Sequence, residues 1–161
     1  MRLIHKAVAA VVRKAGTGTE LLTFRHPRAG VQLPKGTVEP DETAVEAVLR
    51  ELEEESGLRL EGLPRPIGQW RRVLDGRFGE RASGRVHLWH LFVLDAPAGL
   101  PESWSHAASG SPEEDGLTFA FSWLPVDGRL AGKLDPVFGT AVAQLLRHLA
   151  DESRSGQQMQ D

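Results

Sequence analysis

The sequence predicts an α/β fold in which a mixed β-sheet is covered by helices on both faces. The predicted elements follow one another as strands, helix, strands and helix, an order that suits a sheet packed between helices. Each of the two helical segments has a single apolar stripe, so each needs one surface of a sheet to cover it. The chain of 161 residues, 40% hydrophobic and 25% charged, has the size and composition of one globular domain. We expect residues 1–150 to form that domain and the polar residues 151–161 to form a flexible tail.

Three strands are predicted before the first helix. Residues 3–12 are rich in Ala and Val, which is typical of a buried strand. Residues 20–25 and 31–33 give two further strands, and the Pro- and Gly-containing segment 26–30 separates them. Residues 15–19 contain two glycines, but they join two strands and open no helix, so we interpret them as a turn and not as a phosphate-binding loop.

The first helix is predicted to begin near Ala44. Thr43 and Glu46 have the spacing of a capping box, in which each side chain accepts a hydrogen bond from the backbone N–H of the other residue, and Asp41 is the alternative cap. Gly57 suits the left-handed residue that follows the last turn of a helix. One apolar stripe has helical spacing and consists of Val45, Val48, Leu49 and Leu52.

Two strands that form a hairpin are predicted after this helix, at residues 67–74 and 85–94. The segment between them contains an Asp-Gly and a Ser-Gly turn signal. Residues 95–116 show no periodicity and are rich in Pro, Gly and Ser, so we expect a long loop there. A loop of this length in a compact domain is usually functional or disordered. Residues 117–126 give another strand.

The last helix is predicted to open with Asp135 as its cap and Pro136 as its first residue. A proline is tolerated at that position because the first N–H groups of a helix have no partner within the helix. The apolar stripe of this helix consists of Phe138, Ala141, Val142, Leu145 and Leu149.

Composition excludes several classes of protein. The chain has no cysteine, which excludes thiol chemistry and a disulfide framework. A net charge of −3 argues against a broadly electrostatic nucleic-acid binder, but it does not exclude a local basic groove. No apolar run reaches the ~18 residues of a membrane span. Residues 1–16 show no cleavage site, so we interpret them as a strand and not as a signal peptide. We therefore expect a cytoplasmic protein that does not bind membranes.

Residues 36–58 read GTVEPDETAVEAVLRELEEESGL and concentrate acidic side chains on the first helix. At ~100° per residue, Glu51, Glu54 and Glu55 lie on one arc beside the apolar stripe. The three carboxylates repel one another and approach the negative end of the helix dipole, so a free helix gains nothing from them. A bound hard cation such as Mg²⁺ would relieve this repulsion and be stabilised by the carboxylates, because it prefers carboxylate oxygens. The alternative is a solvated acidic helix face.

This stretch resembles the Nudix box, G-x5-E-x7-R-E-U-x-E-E-x-G-U with U aliphatic, and every specified position is filled. The resemblance implies an α/β/α sandwich with a mixed sheet. It also implies hydrolysis of a nucleoside diphosphate linked to another group, with Mg²⁺ or Mn²⁺ as the cofactor. The implied metal ligands are Glu51, Glu54, Glu55 and the carbonyl oxygen of Gly36. Glu53 fills the unspecified position and is expected in solvent.

The resemblance also assigns supporting roles. Arg50 and Glu42 match box positions that brace the loop and orient the carboxylates, and we count Arg50 with the catalytic set on that ground. The candidates for the general base are Glu51 in the box and two acids in the later loop, Glu113 and Glu114. Glu114 is in addition a candidate metal ligand. The alternative for the loop acids is that both are merely solvated.

Candidate substrate contacts lie around the box. Lys35 precedes the box glycine and could contact a phosphate as a point charge. Residues 33–36 read LPKG, which is similar to the sequence found in dinucleoside-polyphosphate hydrolases and RNA 5′-pyrophosphohydrolases. Arg71 and Arg72 begin an arginine cluster that could hold a polyphosphate or an RNA 5′ end, with a solvated basic hairpin as the alternative. Trp104, in the long predicted loop, is the candidate for stacking on a nucleobase.

The resemblance leads us to expect a metal-dependent pyrophosphohydrolase that acts on a nucleotide-type small molecule. The LPKG sequence and the arginines favour a dinucleoside polyphosphate or a nucleoside triphosphate. The alternative is an RNA 5′ end, and nucleic acid is expected as a partner only in that form. The competing class is a non-catalytic nucleotide-binding domain, against which the intact box argues. The chain has no tyrosine, so it lacks the tyrosine that dinucleoside-polyphosphate hydrolases have downstream of the box.

Overall fold

The computed structural model describes residues 3–159 and shows one mixed β-sheet of eight strands with two α-helices. The strands are β1 Leu3–Ala15, β2 Gly18–Arg25, β3 Val31–Gln32, β4 Lys35–Thr37, β5 Arg65–Val73, β6 Val86–Asp95, β7 Ser103–Ala107 and β8 Thr118–Pro125. The helices are α1 Ala44–Ser56 and α2 Gly139–Gln158. Two short 3₁₀ turns, Leu130–Lys133 and Pro136–Phe138, precede α2.

The sheet is mixed because one strand pair in it is parallel. Its strands follow the order β5-β6-β1-β2-β8-β7, with β3 paired to β2 and β4 paired to β1. β1 runs parallel to β6, and the other pairs are antiparallel. The pairing of β4 with β1 places Gly36 opposite Ala7. The end of the LPKG segment is therefore held at the centre of the sheet, beside the strand that is buried most deeply.

β1 faces a separate hydrophobic core on each side of the sheet. Alternate residues Ala7, Ala9 and Val11 belong to the core that α1 closes, and Val8, Ala10 and Val12 belong to the core that α2 closes. A strand that is buried on both faces needs apolar residues without alternation, which explains the Ala- and Val-rich run in the sequence. The predicted sandwich, with a helix on each face of a mixed sheet, is confirmed.

α1 begins and ends where the local sequence signals predict. The Thr43 hydroxyl accepts a hydrogen bond from the Glu46 N–H at 3.1 Å, and the Glu46 carboxylate accepts one from the Thr43 N–H at 3.3 Å. The capping box is thus formed by Thr43, and Asp41 is not the cap. Gly57 follows the helix with φ of 81°, the left-handed conformation that glycine adopts most easily.

The prediction of one long loop over residues 95–116 is wrong. β7, Ser103–Ala107, lies within it and pairs antiparallel with β8 at the edge of the sheet. Its residues alternate between exposed and half-buried, so serines face solvent while Trp104 and His106 face the protein. A short edge strand with polar residues on its outer face has no strong apolar pattern, which is why the sequence signal for it is weak.

The start of the last helix also differs from the prediction. The Asp135 carboxylate does accept a hydrogen bond from the Val137 N–H at 3.0 Å, as a cap should. The element that it caps is the 3₁₀ turn Pro136–Phe138, and α2 follows from Gly139. Phe138 is nonetheless buried with the predicted apolar stripe of α2. The cap and the stripe are therefore correct, but the first turn is 3₁₀ and not α-helical.

α2 continues to Gln158, through most of the predicted tail. Residues 151–158 are helical and exposed, so no tertiary contact buries them. Polar residues without proline can continue a helix that is already nucleated, which explains this extension. Its flexibility stays a prediction, and residues 160 and 161 of the predicted tail lie outside the described residues. No helix within residues 3–159 is long and apolar enough to span a membrane.

Candidate functional site

The candidate site forms where β4 passes over α1. Gly36 approaches the helix so closely that a Cβ atom there would lie 1.9 Å from Cδ of Glu51. Gly36 has no positive φ, so lack of space and not backbone conformation explains this glycine. Any side chain at this position would displace the Glu51 carboxylate.

Arg50 connects this loop to the helix with its whole guanidinium group. Its Nε and Nη2 donate to the two carboxylate oxygens of Glu42, at 3.1 and 2.6 Å. Its Nη1 donates to Glu51 at 2.9 Å and to Glu54 at 3.2 Å, and Nη2 also donates to the carbonyl oxygen of Thr37 at 3.0 Å. The hydrogen bonds from Arg50 lower the pKa of Glu42. The supporting role predicted for Arg50 and Glu42 therefore has a direct structural basis.

Glu55 is the most deeply buried acid of the site, with only 1% of its surface exposed. Its Oε1 accepts a hydrogen bond of 2.8 Å from the backbone N–H of Lys35. Burial, followed by the nearby charge of Glu114, raises the pKa of Glu55 well above the usual value of a glutamate. A buried carboxylate of this kind is stabilised by a cation or by a proton.

Glu51 and Glu114 complete a cluster of carboxyl groups. Burial raises the pKa of Glu51, the hydrogen bond from Arg50 opposes that rise, and the charges of Glu54 and Glu114 add to it. Burial also raises the pKa of Glu114, and the charge of Lys35 opposes this effect. The structure thus brings Glu114, which lies in a separate loop, to the carboxylates of α1.

The loop before β8 places its two acids in different surroundings. Glu114 is half-buried, whereas Glu113 is exposed. The loop contacts α1 directly, because the Ser109 N–H donates to the carbonyl oxygen of Glu54 at 3.2 Å. A Cβ atom on Gly110 would lie 2.2 Å from Cδ of Glu54, so the loop backbone lies against that side chain.

The donor chemistry of this cluster fits a hard divalent cation. Its side chains offer carboxylate oxygens, the ligands that Mg²⁺ and Mn²⁺ prefer, and they raise one another's pKa values as closely spaced negative charges do. Among residues 3–159 no three acidic, histidine or cysteine side chains already converge as a complete ligand set. Glu51 and Glu54 instead bond Arg50, and Glu55 bonds the Lys35 amide.

Two neighbouring cavities, called the connected cavities here because they share two lining residues, lie at the site. The first, of about 280 Å³, is bordered by Glu51, Glu114 and the loop residues 110–113. The second, of about 180 Å³, is lined by Arg72, Phe78, His87 and Trp89 among others. Lys6 and Lys35 border both. A chain of phosphates could therefore extend from one cavity into the other along these two lysines.

Sequence reasoning missed Lys6 and His87. Lys6 lies on β1, and its Nζ donates to the Thr37 hydroxyl at 2.6 Å. Burial and the charge of Lys35 lower the pKa of Lys6. The only signal in the sequence was a lysine at the start of an otherwise apolar run, which does not distinguish a strand end from a site.

Arg71 and Arg72 are predicted to act together, but the structure separates them. The side chain of Arg72 is only 13% exposed and pairs with Glu80 at 3.0 Å. Arg71 is exposed, because consecutive residues of a strand point to opposite faces. Three further arginines of the cluster, Arg77, Arg81 and Arg85, are also exposed.

The interpretation of Trp104 as a base-stacking residue is not supported by its position. Its indole N–H donates to the carbonyl oxygen of Ser56 at 3.0 Å, at the end of α1. Its ring stacks on Phe121 with 5.2 Å between the ring centroids. Trp104 therefore fastens the edge strand β7 to α1 and does not border the two connected cavities.

Comparisons of the sequence with known proteins point to a single family. A sequence model of the NUDIX domain matches residues 3–144. An RNA pyrophosphohydrolase of Stenotrophomonas maltophilia (strain K279a) is 33% identical over 138 residues, which cover 79% of this chain and 62% of the relative. An RNA pyrophosphohydrolase of Xanthomonas campestris pv. campestris (strain B100) is 33% identical over 131 residues, which cover 76% and 60%. The chain thus spans less than two thirds of these curated relatives.

Solved structures agree on the fold. The C. elegans Ap4A hydrolase has a TM-score of 0.62 at 17% identity and covers 92% of this chain and 99% of its own. The NUDIX domain of Shewanella oneidensis NrtR, in complex with ADP ribose, has a TM-score of 0.63 at 14% identity, with 92% and 90% covered. At these identities the similarity establishes only the architecture, so the chemistry has to be inferred from the residues of the site.

We predict that Arg50→Met lowers the free energy of unfolding by about 1–3 kcal/mol, because partly buried carboxylates lose their hydrogen-bond donors. Urea unfolding in EDTA at pH 7 measures the change. Since Arg50 lowers the pKa of Glu42 below its ordinary 4.5, the Glu42 part of this loss is present above that value and disappears as the pH falls through the lowered pKa.

The matched control for this prediction is Arg59→Met. Arg59 also pairs with a glutamate of α1, Glu53, but its side chain is 82% exposed. We expect no measurable change, since exposed ion pairs contribute little. Equal effects of the two substitutions would contradict the bracing role of Arg50.

Proposed function

The chain belongs to the Nudix family, and from that premise we propose that it is a divalent-metal-dependent hydrolase that cleaves a phosphoanhydride bond in a nucleotide with a linear polyphosphate. The observation that supports this most directly is the meeting of the α1 carboxylates with Glu114 beside a cavity bordered by Lys6 and Lys35. Acids that bind cations thus lie next to lysines that bind phosphate. A cytoplasmic location is part of the same proposal.

The substrate that we propose first is the 5′-polyphosphate end of an RNA, with a dinucleoside polyphosphate as the second candidate. The two relatives named RNA pyrophosphohydrolase support the first choice. From the sequence alone, a dinucleoside polyphosphate or a nucleoside triphosphate is favoured, and the LPKG segment is similar to that of both hydrolase classes. Both substrates present a nucleoside joined to a row of phosphates, which suits the connected cavities.

In the proposed reaction, a water molecule attacks phosphorus, a new P–O bond forms and the bridging P–O bond breaks. A divalent ion, when bound, would neutralise charge on the phosphoryl oxygens and make the attacking water more acidic. Glu51, Glu54, Glu55 and the Gly36 carbonyl oxygen would hold that ion. Arg50 keeps two of these carboxylates, Glu51 and Glu54, in place through direct hydrogen bonds.

The remaining residues of the site act on the substrate and on the attacking water. Lys6 and Lys35 would bind non-bridging phosphate oxygens, a role that suits compact ammonium charges. Glu114 is the loop acid that lies within the cluster, and we propose it as a further metal ligand or as the acceptor of the proton from the attacking water. Glu51 is the alternative acceptor of that proton.

The competing function is binding without turnover, as in a nucleotide sensor. That class does not need a complete set of acidic side chains, whereas this chain retains every acid of the box. The buried carboxyl of Glu55 has no evident purpose in a domain that only binds anions, because it adds negative charge next to the phosphate site.

We expect the purified protein to hydrolyse triphosphorylated RNA or a diadenosine polyphosphate with Mg²⁺ or Mn²⁺, and to lose this activity in EDTA. The panel also includes nucleoside triphosphates, ADP-ribose, NADH and coenzyme A. Phosphate and pyrophosphate release are measured for each compound. Tight binding of one compound without hydrolysis under either metal would establish the sensor function instead.

Glu54→Gln and Glu55→Gln should each lower kcat by at least about 100-fold, since each removes an anionic ligand of the metal. The fold should be retained because a glutamine side chain still offers an oxygen, at position 55 to the Lys35 N–H and at position 54 to Arg50, and circular dichroism checks this. Glu53→Gln is the matched control, because Glu53 occupies the neighbouring helix position and its side chain is 44% exposed. Wild-type activity in both ligand variants would refute the metal assignment.

Glu114→Gln and Glu113→Gln separate the two loop acids. We expect Glu114→Gln to lower kcat by about 10²-fold or more, within the range for loss of an acid–base group. Glu113→Gln should stay close to wild type because its carboxylate is exposed. Steady-state kinetics with the best substrate of the panel measures both. The reverse order of effects would assign the role to Glu113.

A further inference from the structure

Three residues that line one cavity each have, within the described residues 3–159, a buried polar atom without a hydrogen-bond partner. These atoms are Nε of Arg72, Nδ1 of His87 and Nε1 of Trp89. All three residues line the cavity of about 180 Å³ that also borders on Lys6 and Lys35. Buried polar atoms without partners are uncommon in folded proteins, so three such atoms on the residues of one small cavity point to a group that binds there.

The chemistry of these atoms selects the kind of group that could satisfy them. Nε of arginine and Nε1 of tryptophan can only donate hydrogen bonds, so the missing partner is an acceptor. The surroundings are positive, because Lys6, Arg72 and Lys35 lie near His87. Burial, followed by these charges, lowers the pKa of His87 to about 4. The Asp135 carboxylate, which also borders the cavity, already accepts from the Val137 N–H. An anionic oxygen is the acceptor that fits this environment.

The position of the cavity connects it to the proposed reaction. It shares Lys6 and Lys35 with the cavity that Glu51 and Glu114 border. On its other side, Arg72 and Phe78 are shared with a groove of about 460 Å³ next to the start of α2. A group bound at Arg72 would thus lie beyond the carboxylates, between the reacting phosphorus and a space large enough for a nucleoside.

Phe78 lines the same cavity and packs against one of these donors. Its ring lies against the Arg72 guanidinium, at 5.2 Å from the ring centroid, and it is 41% exposed in the loop between β5 and β6. The Arg72 side chain also lies over the Trp89 ring, at 5.9 Å. The strands that carry Arg72 and Trp89 are paired with each other, so the backbone behind this contact is held in place.

We propose that Arg72 and Trp89 form a subsite for a phosphoryl group of the substrate that is not itself attacked. Nε of Arg72 and the Trp89 indole N–H donate to its oxygens, and Lys35 lies between this group and the reacting phosphorus. The assignment rests on the proposed hydrolase function and makes it more specific. The subsite selects compounds with three or more phosphates in a row over compounds with a single pyrophosphate.

The indole N–H signals in a ¹⁵N-labelled sample test the subsite directly. The protein is titrated with inorganic tripolyphosphate without divalent metal. We expect the Trp89 signal, identified by its disappearance in Trp89→Phe, to move downfield and to saturate. The signals of Trp104 and Trp123 are internal controls, because their N–H groups already donate to the carbonyl oxygens of Ser56 and Pro101.

An unchanged Trp89 signal overturns the subsite, whether tripolyphosphate binds elsewhere, as calorimetry would show, or does not bind. A water molecule as the permanent partner of the Trp89 N–H would give that unchanged signal. The outcome is independent of turnover. Hydrolysis without a Trp89 shift overturns the subsite alone, and a Trp89 shift without hydrolysis of any panel compound overturns the hydrolase function alone.

Arg72→Met gives a second, kinetic test, since methionine keeps an unbranched apolar side chain against Phe78 and Trp89. We expect it to raise KM about tenfold for a triphosphate-bearing substrate, to leave kcat close to wild type and to leave KM for ADP-ribose unchanged. Arg81→Met is the matched control, because Arg81 is exposed on the same hairpin and borders neither connected cavity. Equal KM changes in both variants would mean that Arg72 acts only through its positive charge, and the subsite would be contradicted.

Discussion

The hydrogen bonds of Arg50 are the constraint on which the site depends. A guanidinium group has five N–H donors, and all five are used here: two on Glu42, one each on Glu51 and Glu54, and one on the carbonyl oxygen of Thr37. These partners come from β4, from the loop before α1 and from α1 itself. A lysine could not replace this arrangement, because it offers a single point of charge. The spacing between Gly36, Glu42 and Arg50 in the sequence is the spacing that brings these residues together at this junction.

The same junction requires a backbone that approaches α1 closely, and β1 provides it. β1 is buried on both faces and is apolar from Ala7 to Val12, so its position between the two cores is well determined. β4 pairs with it and places Gly36 against Glu51. The first half-buried charge on β1, Lys6, then extends to Thr37 and to both connected cavities. The strand that organises the cores therefore also supplies a positively charged side chain to the site.

Local signals explain what could be predicted from the sequence, and long-range packing explains what could not. The start and end of α1 follow from Thr43, Glu46 and Gly57, which act within one turn of the helix. The strand β7 is not predicted because a half-exposed edge strand has little apolar pattern, and the contacts of Trp104 with Ser56 and Phe121 follow from that strand. Glu113 and Glu114 are adjacent and chemically equal in sequence. Only the contact of their loop with α1 buries one of them and exposes the other.

The arginine hairpin shows the same limit and bears on substrate choice. Arg71 and Arg72 are neighbours in the sequence, yet strand alternation exposes the first and turns the second towards the cavity. The exposed arginines attract anions only through a field that salt screens within ~8–10 Å. The donors of Arg72 are largely shielded from water, so they discriminate between a ligand that offers an acceptor and one that does not. The carboxylates of the box are suited to any pyrophosphate, and we therefore place the choice of substrate in the few buried donors beyond them.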